Sequence, residues 1–293
     1  MSDAPGFDEL VRLATSADPA EVDRAHEYAL VRMRGDRRLQ IVAAMAYDRI
    51  RVLAGRPQKF GTQAIADGGR LVPWPVDPAT TDTERAKWGV ATLQRLLERI
   101  VEAPIVDKAM LRSLLRARRR AVDDVARQAA AERIREHGLA TFGSWCQDRV
   151  VAAYWPLPDE ADPRPLARAL RERHGARLAL PVVDGEHLTF RAWRDDAELR
   201  PAGFGTLGPA PVATELQPDV VLAPLVGLDA RGGRIGQGKG FYDRATARLD
   251  QGPGVRVVGV AFACQLLPAV PTEVHDRRLD GYVTEAGATA LSR

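Results

Sequence analysis

Cysteine is scarce: Cys146 and Cys264 are the 2 in 293 residues. They show no CxxC spacing and cannot build a metal cluster by themselves, so both are read as small core hydrophobes in a reducing cytosol. Long apolar runs are missing too, and none approaches the length of a membrane span. The opening MSDAPGFDEL lacks the basic-then-apolar pattern of a signal peptide. Charge of neither sign dominates. With 42 Lys and Arg against 39 Asp and Glu, the net charge is +3. That excess does not argue for nucleic acid and suits small anionic ligands equally well. No fixed-period repeat occurs, and the only biased segment is the arginine run RARRR. No Ser–His or Cys–His arrangement stands out, so no covalent nucleophile is assigned.

Hydrophobic residues make up 45% of the chain, enough for a packed core. The expectation is a soluble cytoplasmic protein with neither a nucleic-acid nor a membrane partner. The length suits one medium domain with a smaller one attached.

The first hundred residues read as mainly helical. DELVRLA, AEVDRAHEYALVRM and RLQIVAAMAYDRIRVLA carry apolar residues at helical spacing. Ser16 and Asp18 ahead of Pro19 are a start signal. The stretch TQAIADGGRLVPW predicts a hairpin around Asp67-Gly68-Gly69. DTERAKWGVATLQRLLERIVE predicts a further helix capped by Thr81 or Asp82. Ala103-Pro104 ends it and marks a boundary. The domain reading is therefore 1–103, mostly helical, and 104–293.

In the second region a helix from Asp107 to Phe142, broken near Val122, precedes alternating strand-like and helix-like segments. Apolar strands alternating with helices predict an α/β layered domain. DVVLAPLVGLD reads as a continuous central strand. After it comes GGRIGQGKGFYDRA, with Gly236, Gly238 and Gly240 in strict alternation around Lys239, and then FYDRATARL as a helix. Strand, glycine loop and helix together offer backbone N–H groups and a helix N-terminus to a phosphate. Gly233 to Lys239 fits GxxxxGK, but Gly240 stands where a Walker loop has Ser or Thr, so that Mg²⁺-binding hydroxyl is absent. Asp243 could supply the oxygen instead.

These residues also resemble a known family. PLVGLDARGGRIGQGKGFYDR is similar to the signature of the 5-formyltetrahydrofolate cyclo-ligases. VVAAYWPLPDEADPRPL resembles that family's first core strand and following turn. LALPVV and LTFRAW resemble its next strands, and VVGVAFACQLLPAVPTEVHDRRLDGYVTE its C-terminal strand and tail. The likeness runs over about residues 106–285. It implies a three-layer α/β/α sandwich with a mixed, Rossmann-like sheet, preceded here by a small, mostly helical N-terminal domain. It implies ATP- and Mg²⁺-dependent closure of a reduced folate, 5-formyltetrahydrofolate, to the 5,10-methenyl form through a phosphorylated formyl oxygen. Such chemistry needs positioning and charge neutralisation.

The resemblance assigns ATP contacts to Lys108, Arg112, Arg234, Ile235, Gly236, Gln237, Gly238, Lys239, Gly240, Phe241 and Tyr242. It assigns folate contacts to Arg112, Trp155, Glu160 and the run Gln237 to Phe241, and Mg²⁺ to Asp243 and Asp276. Phe241 stands where the family often has tyrosine. Trp193 is a second aromatic candidate, with core packing as the other reading. Read without the family, Lys108 and Arg112 are simply a solvated helix face, and Arg116, Arg118, Arg119 and Arg120 are expected to be one. Two rival functions are a same-fold enzyme acting on another carbonyl substrate and a non-catalytic folate or nucleotide sensor. Trp155 with Glu160 argues against the first, and the presence of both carboxylates against the second.

The N-terminal region resembles a bacterial domain without an assigned activity, through YDRIRVLAGRPQKFGTQ followed by DTERAKWGV. Gln58, Gly61, Thr62 and Gln63 are expected to form a turn tying a hairpin to helices rather than a polar site. A role in binding a protein partner is left open for this region.

Overall fold

Helices α1 (Phe7–Ala14), α2 (Pro19–Arg32) and α3 (Arg37–Leu53) form where the apolar spacing is helical. The computed structural model that shows them describes residues 5–100, 103–185, 187–252, 254–274 and 276–292. Asp18 caps α2 by accepting from the Ala20 N–H at 2.9 Å, and Asp36 caps α3 by accepting from Arg38 at 2.8 Å. The predicted hairpin is present as β1 (Ala64–Asp67) and β2 (Arg70–Pro73). The single helix expected after Asp82 is instead two, α4 (Asp82–Lys87) and α5 (Leu93–Glu98). Gly89 between them has a φ of +67°, a left-handed conformation that stops the first helix.

The chain divides into two compact units: Met1–Leu114 with Leu267–His275, and Leu115–Leu266 with Asp276–Arg293. The first unit takes in residues beyond Ala103-Pro104 for a backbone reason. Ala64 donates to the Pro104 carbonyl and accepts from Val106, at 2.9 and 2.8 Å. Thr272 donates to the Ala66 carbonyl at 2.9 Å. Within this unit Asp48 is fully buried and its carboxylate accepts from the backbone N–H of Lys59, Phe60, Gly61 and Thr62 and from the Thr62 hydroxyl, at 2.7 to 3.0 Å. Gln58 Oε1 accepts from the Gln63 N–H at 2.8 Å. The KFGTQ segment is thus a turn folded around a buried carboxylate.

Helix α6 (Lys108–Arg120) runs from the first unit into the second and stops before α7 (Asp124–Phe142), which Asp123 caps. The break near Val122 lies where the sequence placed it. Next in order come β3 (Val150–Ala152), α8 (Arg164–His174), β4 (Arg177–Asp184), β5 (His187–Ala192), β6 (Leu199–Gly203), β7 (Thr206–Pro209) and β8 (Val220–Pro224). Then follow β9 (Gly227–Asp229), β10 (Arg234–Ile235), α9 (Phe241–Leu249), β11 (Arg256–Val260), β12 (Leu266–Leu267), β13 (Gly281–Thr284) and β14 (Gly287–Ala290).

Seven strands form one mixed sheet in the order β14-β13-β11-β8-β3-β4-β5. The five central strands are parallel, and β14 and β5 are antiparallel edges. Alternation along the strands sorts the core. Val151, Leu178, Leu222 and Val258 pack on one face with Ile134 of α7 and Leu170 of α8. Val150, Ala179, Val221 and Val257 pack on the other with Ala245 and Leu249 of α9. This is the expected three-layer α/β/α sandwich. The run DVVLAPLVGLD is not one strand, however. It breaks after Pro224, and β9 turns back to pair with β10 in a hairpin. The β6–β7 hairpin carried no distinct sequence signal.

Candidate functional site

Chain order reverses across the middle of the sheet. From β3 the chain passes through α8 to β4 on one side, while β8 joins the other side of β3 and leads on to β11 and β13. In open α/β sheets ligands bind beyond the carboxyl ends of the strands at such a switch point. Here the strand ends release two segments: Ala153 to Glu160 after β3, and the hairpin and glycine loop after β8.

Beyond β10 the loop Gly236 to Gly240 delivers the chain into α9. Gly238 and Gly240 have φ of +92° and +67°, a region closed to most side chains, and Gly240 is the N-cap. Among the described residues no side chain caps α9. The first-turn N–H groups are therefore placed as anion donors. Lys239 is exposed, its ammonium 6.0 Å from the centre of the Phe204 ring. Phe204 stands at the β6–β7 hairpin tip with a φ of +51° and lies 5.2 Å from Phe241, centroid to centroid. Sequence reasoning passed over Phe204, which lay in no expected turn or site.

Glu160 is buried. Its Oε2 accepts from the Leu157 N–H at 3.0 Å, while Oε1 accepts from Gln237 Nε2 at 3.2 Å and from Arg119 Nη1 at 3.5 Å. Burial raises its carboxyl above the usual range, opposed by the Leu157 N–H, the Arg119 charge and the Gln237 amide. Arg119 also donates Nε and Nη2 to Asp159 Oδ2, at 3.0 and 2.8 Å, and Nη1 to the Leu225 carbonyl at 3.4 Å. Arg116 Nη2 donates to Gln237 Oε1 at 2.9 Å and to its carbonyl at 3.3 Å. The expectation that Arg116 and Arg119 form a solvated face is wrong, because Arg119 is only 3% exposed. Helical spacing marks a face but cannot say what covers it.

Trp155 is half-buried. It meets Trp193 edge-on at 6.5 Å, and the Arg164 guanidinium lies 4.4 Å from its ring centre. Trp193 itself is buried, as in the core-packing reading. Asp243 in the first turn of α9 is exposed and pairs with Arg234, whose side chain is largely buried. Tyr242 is driven well above the ordinary phenol range by burial, as is Tyr154, so neither is a general acid or base near neutral pH.

A family model described as the 5-formyltetrahydrofolate cyclo-ligase family matches residues 104–285. The chain belongs to that family. The Mycolicibacterium smegmatis 5-formyltetrahydrofolate cyclo-ligase is 32% identical over 196 residues, 63% of this chain and 97% of that protein. The enzyme of the same name from Escherichia coli K12 is 31% identical over 178 residues, 58% and 96% of the two chains. The NMR structure of Aquifex aeolicus 5,10-methenyltetrahydrofolate synthetase, 27% identical, covers 64% of this chain and 93% of its own with a TM-score of 0.55. The protein is accordingly an enzyme of the ligase class, and its α/β unit is the cyclo-ligase fold.

Against this cyclo-ligase frame, the second unit brings Glu160 to Gln237 of the glycine loop, while the contacts of Trp155 are with Trp193 and Arg164. Ile235 and Tyr242 turn their side chains into the core, which leaves only their backbone for a ligand. Lys108 and Arg112 stand on the N-terminal half of α6, in the first unit, where Lys108 pairs with Glu273 at 3.4 Å. Asp276 is half-buried at the start of the last segment of the second unit. Among the described residues no three His, Cys, Asp or Glu side chains converge as a preformed metal cage. Mg²⁺ keeps most of its water and takes one or two carboxylates plus phosphate oxygens. An exposed Asp243 beside a phosphate-ready loop fits a cation that arrives with the nucleotide. No described helix is long and apolar enough to cross a membrane.

Proposed function

We propose that this protein closes 5-formyltetrahydrofolate to 5,10-methenyltetrahydrofolate at the expense of ATP. The observation that carries the reading is the Gln237–Glu160 hydrogen bond, which ties the glycine loop to the carboxylate of the β3 loop at the sheet's switch point. A phosphate site and a buried hydrogen-bond acceptor thereby share one crevice.

The γ-phosphoryl group passes from ATP to the N5-formyl oxygen and leaves ADP. N10 then attacks the formyl carbon, and the phosphorylated oxygen departs as inorganic phosphate while N10 loses its proton. The backbone from Gly236 to Gly240, the α9 N-terminus and Lys239 hold the triphosphate, with Arg234 as a further cationic contact. Glu160 accepts N–H groups of the pterin, and Trp155 and Phe241 offer ring faces to the aromatic parts of the folate. Asp243 and Asp276 would hold Mg²⁺, which supplies charge neutralisation on the phosphates. For Asp243 to do so, Arg234 must release it and turn to the nucleotide. Positioning and charge complementarity meet the whole demand, so no covalent nucleophile is required.

Residues 1–103 are an appended domain and 104–293 carry the reaction; the start of the family match at residue 104 supports this division. The reaction is placed in the cytoplasm, where reduced folates and ATP meet. The deciding experiment mixes the purified protein with ATP, Mg²⁺ and 5-formyltetrahydrofolate. The near-ultraviolet absorbance of the methenyl product is followed against controls lacking each component. ATP consumption without methenyl absorbance would point to another carbonyl substrate.

A further inference from the structure

An ionised carboxylate offers about four lone-pair positions. Among the described residues three donors reach Glu160. Oε1 takes two, Gln237 Nε2 and Arg119 Nη1, and Oε2 takes one, the Leu157 N–H. Oε1 is thereby filled and Oε2 keeps a free position. Both partners of Oε1 are themselves held. Asp159 takes Nε and Nη2 of Arg119. Arg116 holds Gln237 through its side-chain and backbone oxygens. The two arginines lie at i and i+3 on α6, so one helix face anchors both Oε1 donors.

We propose that Arg119 is a positioning residue for the folate. With Gln237 it saturates Oε1 of Glu160 and so directs the free lone pair of Oε2 to a substrate N–H. The inference rests on the folate reading of Glu160 and deepens it, by assigning α6 a part in substrate recognition. Two features separate this role from simple ion-pair stability. Asp159 alone would satisfy two donors of Arg119, yet Nη1 reaches over to Glu160 and the Leu225 carbonyl. And Glu160 is shared with a loop residue rather than closed into a pair with the arginine, as a buried structural salt bridge tends to be. Because Gln237 belongs to the glycine loop, one of the two donors to Oε1 of Glu160 comes with that loop. Folate recognition is in this way tied to the nucleotide loop.

The test is a double-mutant cycle on the full chain with Arg119→Gln, Glu160→Gln and the pair together, read as KM for each substrate, as Kd for 5-formyltetrahydrofolate by tryptophan fluorescence, and as Tm. If Arg119 acts through Glu160, Arg119→Gln raises the folate KM and Kd about tenfold or more and leaves the ATP KM within about twofold. The double variant is then no worse than Glu160→Gln alone. Arg119→Lys keeps the cation but not the fork and recovers part of the loss. It also serves as the cycle's arm should Arg119→Gln fail to fold. Additive losses in the double variant, equal rises in both KM values, or an unchanged folate Kd would overturn the proposal. Folate binding without ring closure would sink the activity but leave this inference standing, whereas a wild-type chain that binds no folate overturns both.

Discussion

Gln237 Nε2 lies 3.2 Å from Glu160 Oε1, although 77 positions separate the two residues in the chain. The contact exists because β3 and β8 are neighbours in the sheet and release their loops at the same edge. It sets what the site should do under perturbation.

Asp243 is the exposed carboxylate at the mouth of α9. Asp243→Asn should lower kcat/KM by about two orders of magnitude or more, roughly 3 kcal/mol of transition-state stabilisation. Part of the loss should be recovered at high Mg²⁺. Turnover equal to wild type at limiting Mg²⁺ would remove Asp243 from the metal site.

Lys239 is solvent-exposed on the glycine loop, and the proposed reading makes it a point charge for the triphosphate. Lys239→Ala should raise the KM for ATP several-fold, about 1 kcal/mol for one partly screened contact, with little change for the folate. Equal effects on both substrates would mean that the residue shapes the loop instead.

The proposed reading has Glu160 accept a folate N–H as the carboxylate, and burial raises its carboxyl. The sign follows: the neutral form returns at a higher pH than for an ordinary glutamate, so kcat/KM should fall early on the acid side. The titratable and charged groups around it are Arg119 from α6, Asp159 beside it, Tyr154 after β3 and Tyr242 from α9. Glu160→Gln should be poorly active and should lack that acid limb. A limb of unchanged position in Glu160→Gln assigns it to another group.

Asp48 accepts five hydrogen bonds in the first unit. An asparagine amide at that site turns one acceptor into a donor and leaves backbone N–H groups without partners. Asp48→Asn should therefore destabilise this unit by about 2–4 kcal/mol. Thermal unfolding measures it, and a Tm shift of less than a degree or two would show that the turn holds itself.

A chain beginning at Ile105 should retain ring closure but unfold at lower temperature. It keeps Lys108 and every later site residue, while Val106 and Thr272 lose the Ala64 and Ala66 partners of their N–H groups. A folded truncation without activity would give the N-terminal region a part in catalysis.

Much was legible in the chain itself. The caps at Asp18 and Thr81, the Asp67-Gly68-Gly69 hairpin and the break near Val122 are local matters of backbone preference, and each lies where the residues put it. The glycine loop and Asp243 are likewise local, since the alternating glycines admit the left-handed turns that lead the chain into the amphipathic helix that follows. Successive strand residues point to opposite faces, but with apolar residues on both faces the strands did not show which set meets which helices. Other features depended on what lies far away in the chain. Nothing in DVVLAPLVGLD says that the strand stops at Pro224, because a hairpin back to β10 and a continued strand bury the same apolar residues. Arg119 reads as one more solvated arginine until the β3 loop brings Asp159 and Glu160 onto it. Helical period tells which residues share a face, whereas burial and charge pairing are set by the elements laid over that face. The sequence alone determined the α/β layering, the Asp67-Gly68-Gly69 turn and the glycine loop. Only the tertiary structure decided which arginine is buried, which oxygen of Glu160 is left open, and that 104–114 and 267–275 fold with the first unit, because each of these depends on neighbours the chain reaches only by folding.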